Sequence, residues 1–295
     1  MRRVAGVELG GTKCVALLGS GPDDVVDRVR VPTTTPDETL GALRARLDAW
    51  AAGPGFDAIG IASFGPVDLD PASAHHGCIV GTTKPGWDFA PVLARLSDGL
   101  MRRARIETDV NGAALAEARW GGAGDGLCVY ITVGTGVGVG IVAGGRPVHG
   151  PLHGEAGHLK VPRAAGDGFS GGCTYHGDCV EGLISGPALS KRFGCDPATV
   201  APGHPVWDHV AHDLSLLLHN LVIALGPERI AIGGGVMAGK DWLFDRVRTR
   251  LAASLNDYGA FGGWADTIER RVGPPGLGDM AGPLGAIAVG LSSAN

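Results

Sequence analysis

Val4-Ala5-Gly6-Val7-Glu8-Leu9-Gly10-Gly11-Thr12-Lys13-Cys14-Val15-Ala16-Leu17-Leu18 sets two apolar runs on either side of a short glycine turn. Runs of this kind read as two strands joined in a hairpin. Val25–Val31 alternates well enough for a third strand, and Pro36–Ala52 carries Leu40, Leu43, Leu47 and Trp50 at helical spacing. Ala58–Ser63 reads as a buried strand, and Arg105–Thr108 as another ahead of a helix over Asn111–Trp120. The same order then begins again. Leu127–Val133 and Val137–Val142 flank Gly134-Thr135-Gly136, a repeat of topology and not of sequence. Helices near Val180–Arg192 and Pro205–Leu225, a strand Arg229–Ile232, a helix Val236–Leu255 and a last helix Leu284–Leu291 follow. No long linker interrupts this order, so two α/β domains joined at a hinge of crossing segments are expected.

The chain of 295 residues is long enough for two buried cores. A net charge of −5 and an isoelectric point near 6.0 offer no attraction to nucleic acid or an anionic membrane. No apolar run reaches the ~18 residues that span a bilayer, and Met1-Arg2-Arg3 leads straight into a strand without a signal-peptide core. A cytoplasmic location is expected. Of the 6 cysteines, Cys14 and Cys128 lie inside apolar runs, where a thiol behaves as a small hydrophobe. A disulfide framework does not fit a reducing cytosol. The 51 glycines follow no period, which excludes collagen-like and low-complexity chains.

Cys173-Thr174-Tyr175-His176-Gly177-Asp178-Cys179 places three ligand-type side chains at C-x2-H-x2-C spacing, with His158 fourteen intervening residues upstream. Structural zinc takes four Cys or His ligands in a closed tetrahedron, and two short steps plus one long return supply them. The alternatives are a redox pair or an incidental Cys/His-rich loop, and regular two-residue steps favour zinc. Glu155 and Glu181 flank the ligand run, so a metal-tied loop would hold two acids rigidly toward a polar substrate.

Gly10-Gly11-Thr12-Lys13, Gly134-Thr135-Gly136 and Gly233-Gly234-Gly235 each follow a strand. Glycine lets backbone N–H groups approach a phosphate, and a helix starting at Val236 would aim its dipole at an anion. One such turn alone is an ordinary hairpin; three favour a nucleotide. None matches the P-loop pattern, and no G-x-G-x-x-G opens a helix after the first strand. Asp109 stands between a strand and a helix. Its carboxylate could cap the helix, or take the proton of a sugar hydroxyl attacking a phosphoryl group. Spacing alone leaves both open.

Glu8-Leu9-Gly10-Gly11-Thr12-Lys13, Thr108-Asp109-Val110-Asn111-Gly112-Ala113-Ala114-Leu115-Ala116-Glu117, Gly134-Thr135-Gly136, Glu155-x-x-His158 and the Cys/His loop together resemble the ROK family (repressors, open reading frames, kinases) over nearly the whole chain. Glu8, Ser63-Phe64-Gly65-Pro66-Val67-Asp68, Lys84-Pro85-Gly86-Trp87, Thr108-Asp109 and the C-x2-H-G-x-C loop are most similar to its bacterial fructokinases. The resemblance implies an actin-like, ribonuclease H-like ATPase fold of hexokinase type, with two α/β domains closing over hexose and ATP. The expected division is an N-terminal α/β domain over 1–110, joined by the C-terminal helix 283–295, and a larger α/β domain over 111–282 with the metal loop. It implies Asp109 as general base, with Gly65, Pro66, Thr108, Asp109, Glu155, His158 and Glu181 on the sugar. Gly10, Gly11, Thr12, Lys13, Thr132, Gly134, Thr135, Gly136, Pro187, Gly233, Gly234, Gly235 and Val236 would serve ATP with Mg2+. His158, Cys173, His176 and Cys179 would hold structural Zn2+, and the family's habit implies a homodimer. The chain departs from the family's common Glu-Asn-Asp at Glu107-Thr108-Asp109, which removes an amide from the sugar site.

Two function classes compete. A glucokinase, mannokinase or N-acylhexosamine kinase would share the fructokinase chemistry, whereas a sugar-sensing regulator without catalysis would share only the sugar site. Repressors of the group carry a helix-turn-helix domain ahead of the core. A first core strand at about Val4 leaves no room for one, and Asp109 with three glycine turns favours the kinase.

Overall fold

The computed structural model describes residues 2–124 and 126–292, so the end of the expected joining segment, residues 293–295, lies outside the described residues. Two compact units emerge. The first is Met1–Gly126, Gly140–Gly154 and Gly276–Asn295; the second is Leu127–Val139 and Glu155–Pro275.

In the first unit, β1 (Val4–Leu9), β2 (Lys13–Gly21), β3 (Asp24–Pro32), β4 (Ala58–Ser63) and β5 (Arg103–Thr108) form one sheet in the order β3-β2-β1-β4-β5. β1–β2 and β2–β3 are antiparallel hairpin pairs, whereas β1, β4 and β5 run parallel. Helix α1 (Pro36–Ala52) is started by Thr35, whose side chain accepts from the Glu38 N–H, and by Pro36 in the first turn. It buries Leu40, Leu43, Leu47 and Trp50, as its spacing requires. A one-turn α2 (Val92–Ser97) was invisible to periodicity, which needs a longer window. α3 (Asp109–Trp120) begins two residues earlier than expected and packs against the C-terminal helix. At the α3 crossing, a Cβ on Gly285 would come within 2.7 Å of the Ala113 nitrogen, so glycine is required there. That close approach keeps α3 with the first unit, and the compact division does not follow the expected 110/111 boundary.

The second unit carries β6 (Cys128–Val133) and the start of β7 (Val137–Ala143), whose far end pairs with β8 (Arg146–Pro147) in the first unit's Gly140–Gly154 segment. The expected single helix near Val180–Arg192 divides into α4 (Val180–Ile184) and α5 (Gly186–Phe193). Ser185 turns extended and caps α5, while Pro187 has no N–H to continue the α4 ladder. Next come α6 (Val206–Leu225), β9 (Arg229–Gly233), α7 (Asp241–Leu255), the short α8 (Ala260–Ala265) and α9 (Ile268–Arg271), and β10 (Val272–Gly273). β10, β9 and β6 are parallel neighbours, with Thr132 opposite Gly233. The fold closes with α10 (Ala281–Leu291) in the first unit. No helix of the described residues is long and apolar enough to cross a membrane.

One expected element is corrected. α7 starts at Asp241 and not at Val236, because Gly239 takes a left-handed conformation (φ 68°) that interrupts the turn after Gly235. Gly233-Gly234-Gly235 therefore precedes a turn, and no α7 dipole stands behind it.

Candidate functional site

Parallel register aligns the strand ends of the first unit. Leu9 lies opposite Ser63, and Ser63 opposite Thr108, so the ends of β1, β4 and β5 align. Open α/β sheets gather ligands at such carboxyl ends. Out of them run Gly10–Lys13, the Phe64-Gly65-Pro66 segment with its cis Gly65–Pro66 bond, and Thr108-Asp109. The Phe64 N–H donates to Leu9 O at 2.8 Å, which ties the first two together. Gly10 N–H donates to Lys13 O at 3.1 Å and closes the turn. Lys84 Nζ donates to Gly11 O at 2.7 Å, which gives the Lys84-Pro85-Gly86-Trp87 motif a place beside that turn.

Asp109 is the first residue of α3, and the cap is its neighbour: Thr108 Oγ1 accepts from Asn111 N–H at 3.2 Å. The helix-cap explanation therefore belongs to Thr108. Asp109 Oδ1 accepts from the Val110 N–H at 2.9 Å, which fixes the carboxylate at the start of the helix. Glu8, at the end of β1, is raised to about 7, first by burial and then by the charge of Asp109, against Lys13 and Arg28. Beyond the resemblance the sequence assigns Glu8 no role, because its burial and its approach to Asp109 both arise from the fold.

In the second unit, the glycine turns converge. Gly134 N–H donates to Gly136 O at 2.9 Å, and Gly186 N–H at the start of α5 donates to Gly134 O at 2.7 Å, bringing Pro187 to the same turn. Val236 N–H donates to Val133 O at 3.0 Å, so Gly233–Val236 sits against the end of β6, where Thr132 and Thr135 also lie. This concentration of backbone amides and small residues is a setting for an anion. Gly136 is required for a second reason. A Cβ there would stand 2.7 Å from Glu181 Oε2, the atom that accepts the Val137 N–H at 3.1 Å.

Glu181 leads from there to the metal-type cluster, its Oε1 lying 4.0 Å from His158 Nδ1. His158, Cys173, His176 and Cys179 bring their ligand atoms within 4.8 Å of one another. The Cys173 Sγ–His158 Nδ1, Cys173 Sγ–His176 Nδ1 and Cys179 Sγ–His158 Nδ1 separations are 3.6, 3.8 and 3.5 Å. A tetrahedron with Zn–S of about 2.3 Å and Zn–N of about 2.0 Å has edges of roughly 3.3–3.8 Å, so the donor set fits zinc. Burial pushes the Cys179 thiol up to about 11, which a bound cation would reverse. The loop is braced elsewhere by Lys160–Asp178 at 2.8 Å and by Arg163 and Arg192 on Asp167. Glu155 and His158 are both in this unit, while Gly65, Pro66, Thr108 and Asp109 are in the first.

The sequence pattern of the ROK family matches residues 4–292. A fructokinase of Zymomonas mobilis is 40% identical over 300 residues, covering 98% of this chain and 96% of that protein. Among solved structures, the ROK hexokinase of Thermus thermophilus superposes with a TM-score of 0.79 at 28% identity, over 98% of this chain and 97% of that one. A ROK glucokinase of Streptomyces griseus, in complex with glucose and AMPPNP, gives 0.72 at 25% identity, over 98% and 99%.

Proposed function

The chain belongs to the ROK family, and from that premise we propose that it transfers the terminal phosphoryl group of MgATP to a hexose, fructose before others. The observation that carries this reading is the placing of Asp109 at the aligned strand ends while Thr108 serves as the helix cap. Asp109 accepts the proton of the attacking sugar hydroxyl as that oxygen bonds to the γ-phosphorus. The bond from phosphorus to the bridging oxygen breaks, and ADP leaves with that oxygen. Gly65, Pro66, Thr108, Glu155, His158 and Glu181 are assigned to the sugar hydroxyls on the family resemblance. The turns Gly10–Lys13, Gly134–Gly136 and Gly233–Val236, with Thr132 and Pro187, are assigned to the nucleotide.

His158, Cys173, His176 and Cys179 would hold one zinc ion, whose part is to close the loop and fix the orientation of His158. Phosphoryl transfer asks mainly for positioning and charge, which suits such a braced loop. A homodimer and a cytoplasmic location complete the reading, the first open to sedimentation analysis. Fructose is favoured by Glu8, Thr108 and the C-x2-H-x2-C loop, and by the fructokinase relative. Thr108 offers one hydroxyl where an amide would offer two groups, and specificity rests on such pairings. A coupled ADP-release assay over fructose, mannose, glucose and N-acetylmannosamine tests the reading. Fructose should give the highest kcat/KM, and inactivity on all four would overturn it.

A further inference from the structure

We propose that His149 is a fixed imidazolium strut that, through Glu107, positions Asp109 for proton abstraction. It rests on the kinase reading above for the role of Asp109, and on geometry alone for the strut.

Glu107 is the penultimate residue of β5, with its side chain buried. Its Oε1 accepts from Thr108 N–H at 2.9 Å and from Asn111 Nδ2 at 3.0 Å. Its Oε2 lies 2.9 Å from His149 Nε2. The other ring nitrogen, His149 Nδ1, lies 2.7 Å from Gly150 O. A carbonyl and a carboxylate can only accept, so both nitrogens of the ring must donate, and a ring with two N–H groups is a cation. Asn111 is itself fixed, because its Oδ1 accepts from the Ile141 N–H at 3.0 Å. One carboxylate thus holds the residue before Asp109 and the side chain two residues after it. His149 places the opposing charge 2.9 Å from this carboxylate.

The other charged groups facing the pair sharpen the assignment. A groove of about 630 Å³ is lined by Arg103, Arg105 and Glu107 of β5, Arg146 of β8, His149, and His76 from the segment after β4. Every one of these apart from Glu107 is a base, and cations nearby oppose protonation of His149. Glu107 is the single carboxylate among the lining residues. The proton on His149 is accordingly Glu107's doing: that hydrogen bond raises the imidazole to about 9, against burial. If His149 loses its charge, the buried Glu107 carboxylate is left without its compensating cation. A Glu107 side chain freed from His149 no longer holds both N–H donors on Oε1 in place, and the Thr108–Asn111 corner relaxes. A displacement of about 1 Å at a reacting group costs up to ~10²-fold in rate.

The test combines turnover with a readout that needs none. His149→Ala should lower kcat about 10–100-fold at pH 7.5 while KM for MgATP and hexose stays within about twofold. The parent kcat should fall above a pH of about 9, as the strut loses its proton, and that limb should be absent from the variant. Nitrogen-15 NMR of the imidazole should show both ring nitrogens protonated in the parent at pH 7.5. In Glu107→Gln the same ring should titrate near the ordinary histidine value of about 6.5. An unchanged kcat in His149→Ala, or one unprotonated nitrogen in the parent ring at pH 7.5, overturns the strut. Should His149→Ala lose its fold, the NMR of the parent and of Glu107→Gln still decides. A parent inactive on every hexose, with the doubly protonated ring observed, breaks the kinase reading and leaves the strut standing.

Discussion

At the Thr108–Asn111 corner of the first unit, regular secondary structure delivers the neighbours of each polar group. β5 ends in register with β4, Thr108 caps α3, and Asn111 is tied by hydrogen bonds to Glu107 and to Ile141. The segment between His158 and Cys179 in the second unit has no helix or strand, only an isolated bridge from Cys173 to Gly177. Four ligand-type side chains and a few ion pairs hold it. A corner held by many bonds loses one of them gradually, because the strands and helix remain. A loop without regular secondary structure depends more heavily on its ligand cluster, since ion pairs and a few backbone bonds offset only part of its ordering entropy.

The widest expected effect tests the corner. Asp109→Asn should reduce kcat by ~10²–10⁴-fold, about 3–5 kcal/mol in the barrier. Its melting temperature should stay close to the parent's, because Thr108 carries the cap. Turnover near the parent rate would remove Asp109 from the chemistry and leave the corner purely structural. The loop comes next. Cys179→Ser should abolish stoichiometric zinc, raise KM for the sugar and lower the melting temperature by more than ~5 °C. Retention of one zinc per chain in that variant would show the ligand set to be wrong.

Glu8 offers a pH-dependent test of the same strand ends. Its carboxyl is raised from 4.5 to about 7 in the folded protein. A carboxyl raised by folding costs nothing below the unfolded value, because both states are then protonated. The cost accumulates as pH rises from 4.5 towards 7 and is constant above. Glu8→Gln should therefore match the parent in melting temperature at pH 4 and exceed it at pH 8, by roughly 3 kcal/mol at most. Equal melting temperatures at pH 8 would mean that the carboxyl is not raised. The smallest effect belongs to the cap: Thr108→Ala should cost about 1 kcal/mol in a denaturant titration, and Thr108→Ser close to nothing.

Most of the strands and long helices were legible because their patterns are local. Ala58–Ser63 and Pro36–Ala52 fall on the expected residues, and the C-x2-H-x2-C spacing brought three ligand-type side chains together within one loop. Short elements such as α2 and β8 were not legible, since one turn or two residues carry no period. The start of α7 differs from the sequence pattern for a physical reason: the apolar Val236-Met237 pair looks like helix, and the left-handed Gly239 prevents it. His149 is not legible in the sequence, because nothing near it in the chain explains a charge.

By itself the sequence determined which stretches become strand, helix and glycine turn, and which four residues could share a metal. Those properties follow from side-chain spacing and backbone freedom within a few residues. Only the tertiary structure decided that Leu9, Ser63 and Thr108 stand side by side, and that Glu107 meets His149 across 42 positions. Hydrogen-bond partners and the titration of buried groups are set by whatever the fold brings within about 3 Å, and sequence distance carries no information about that.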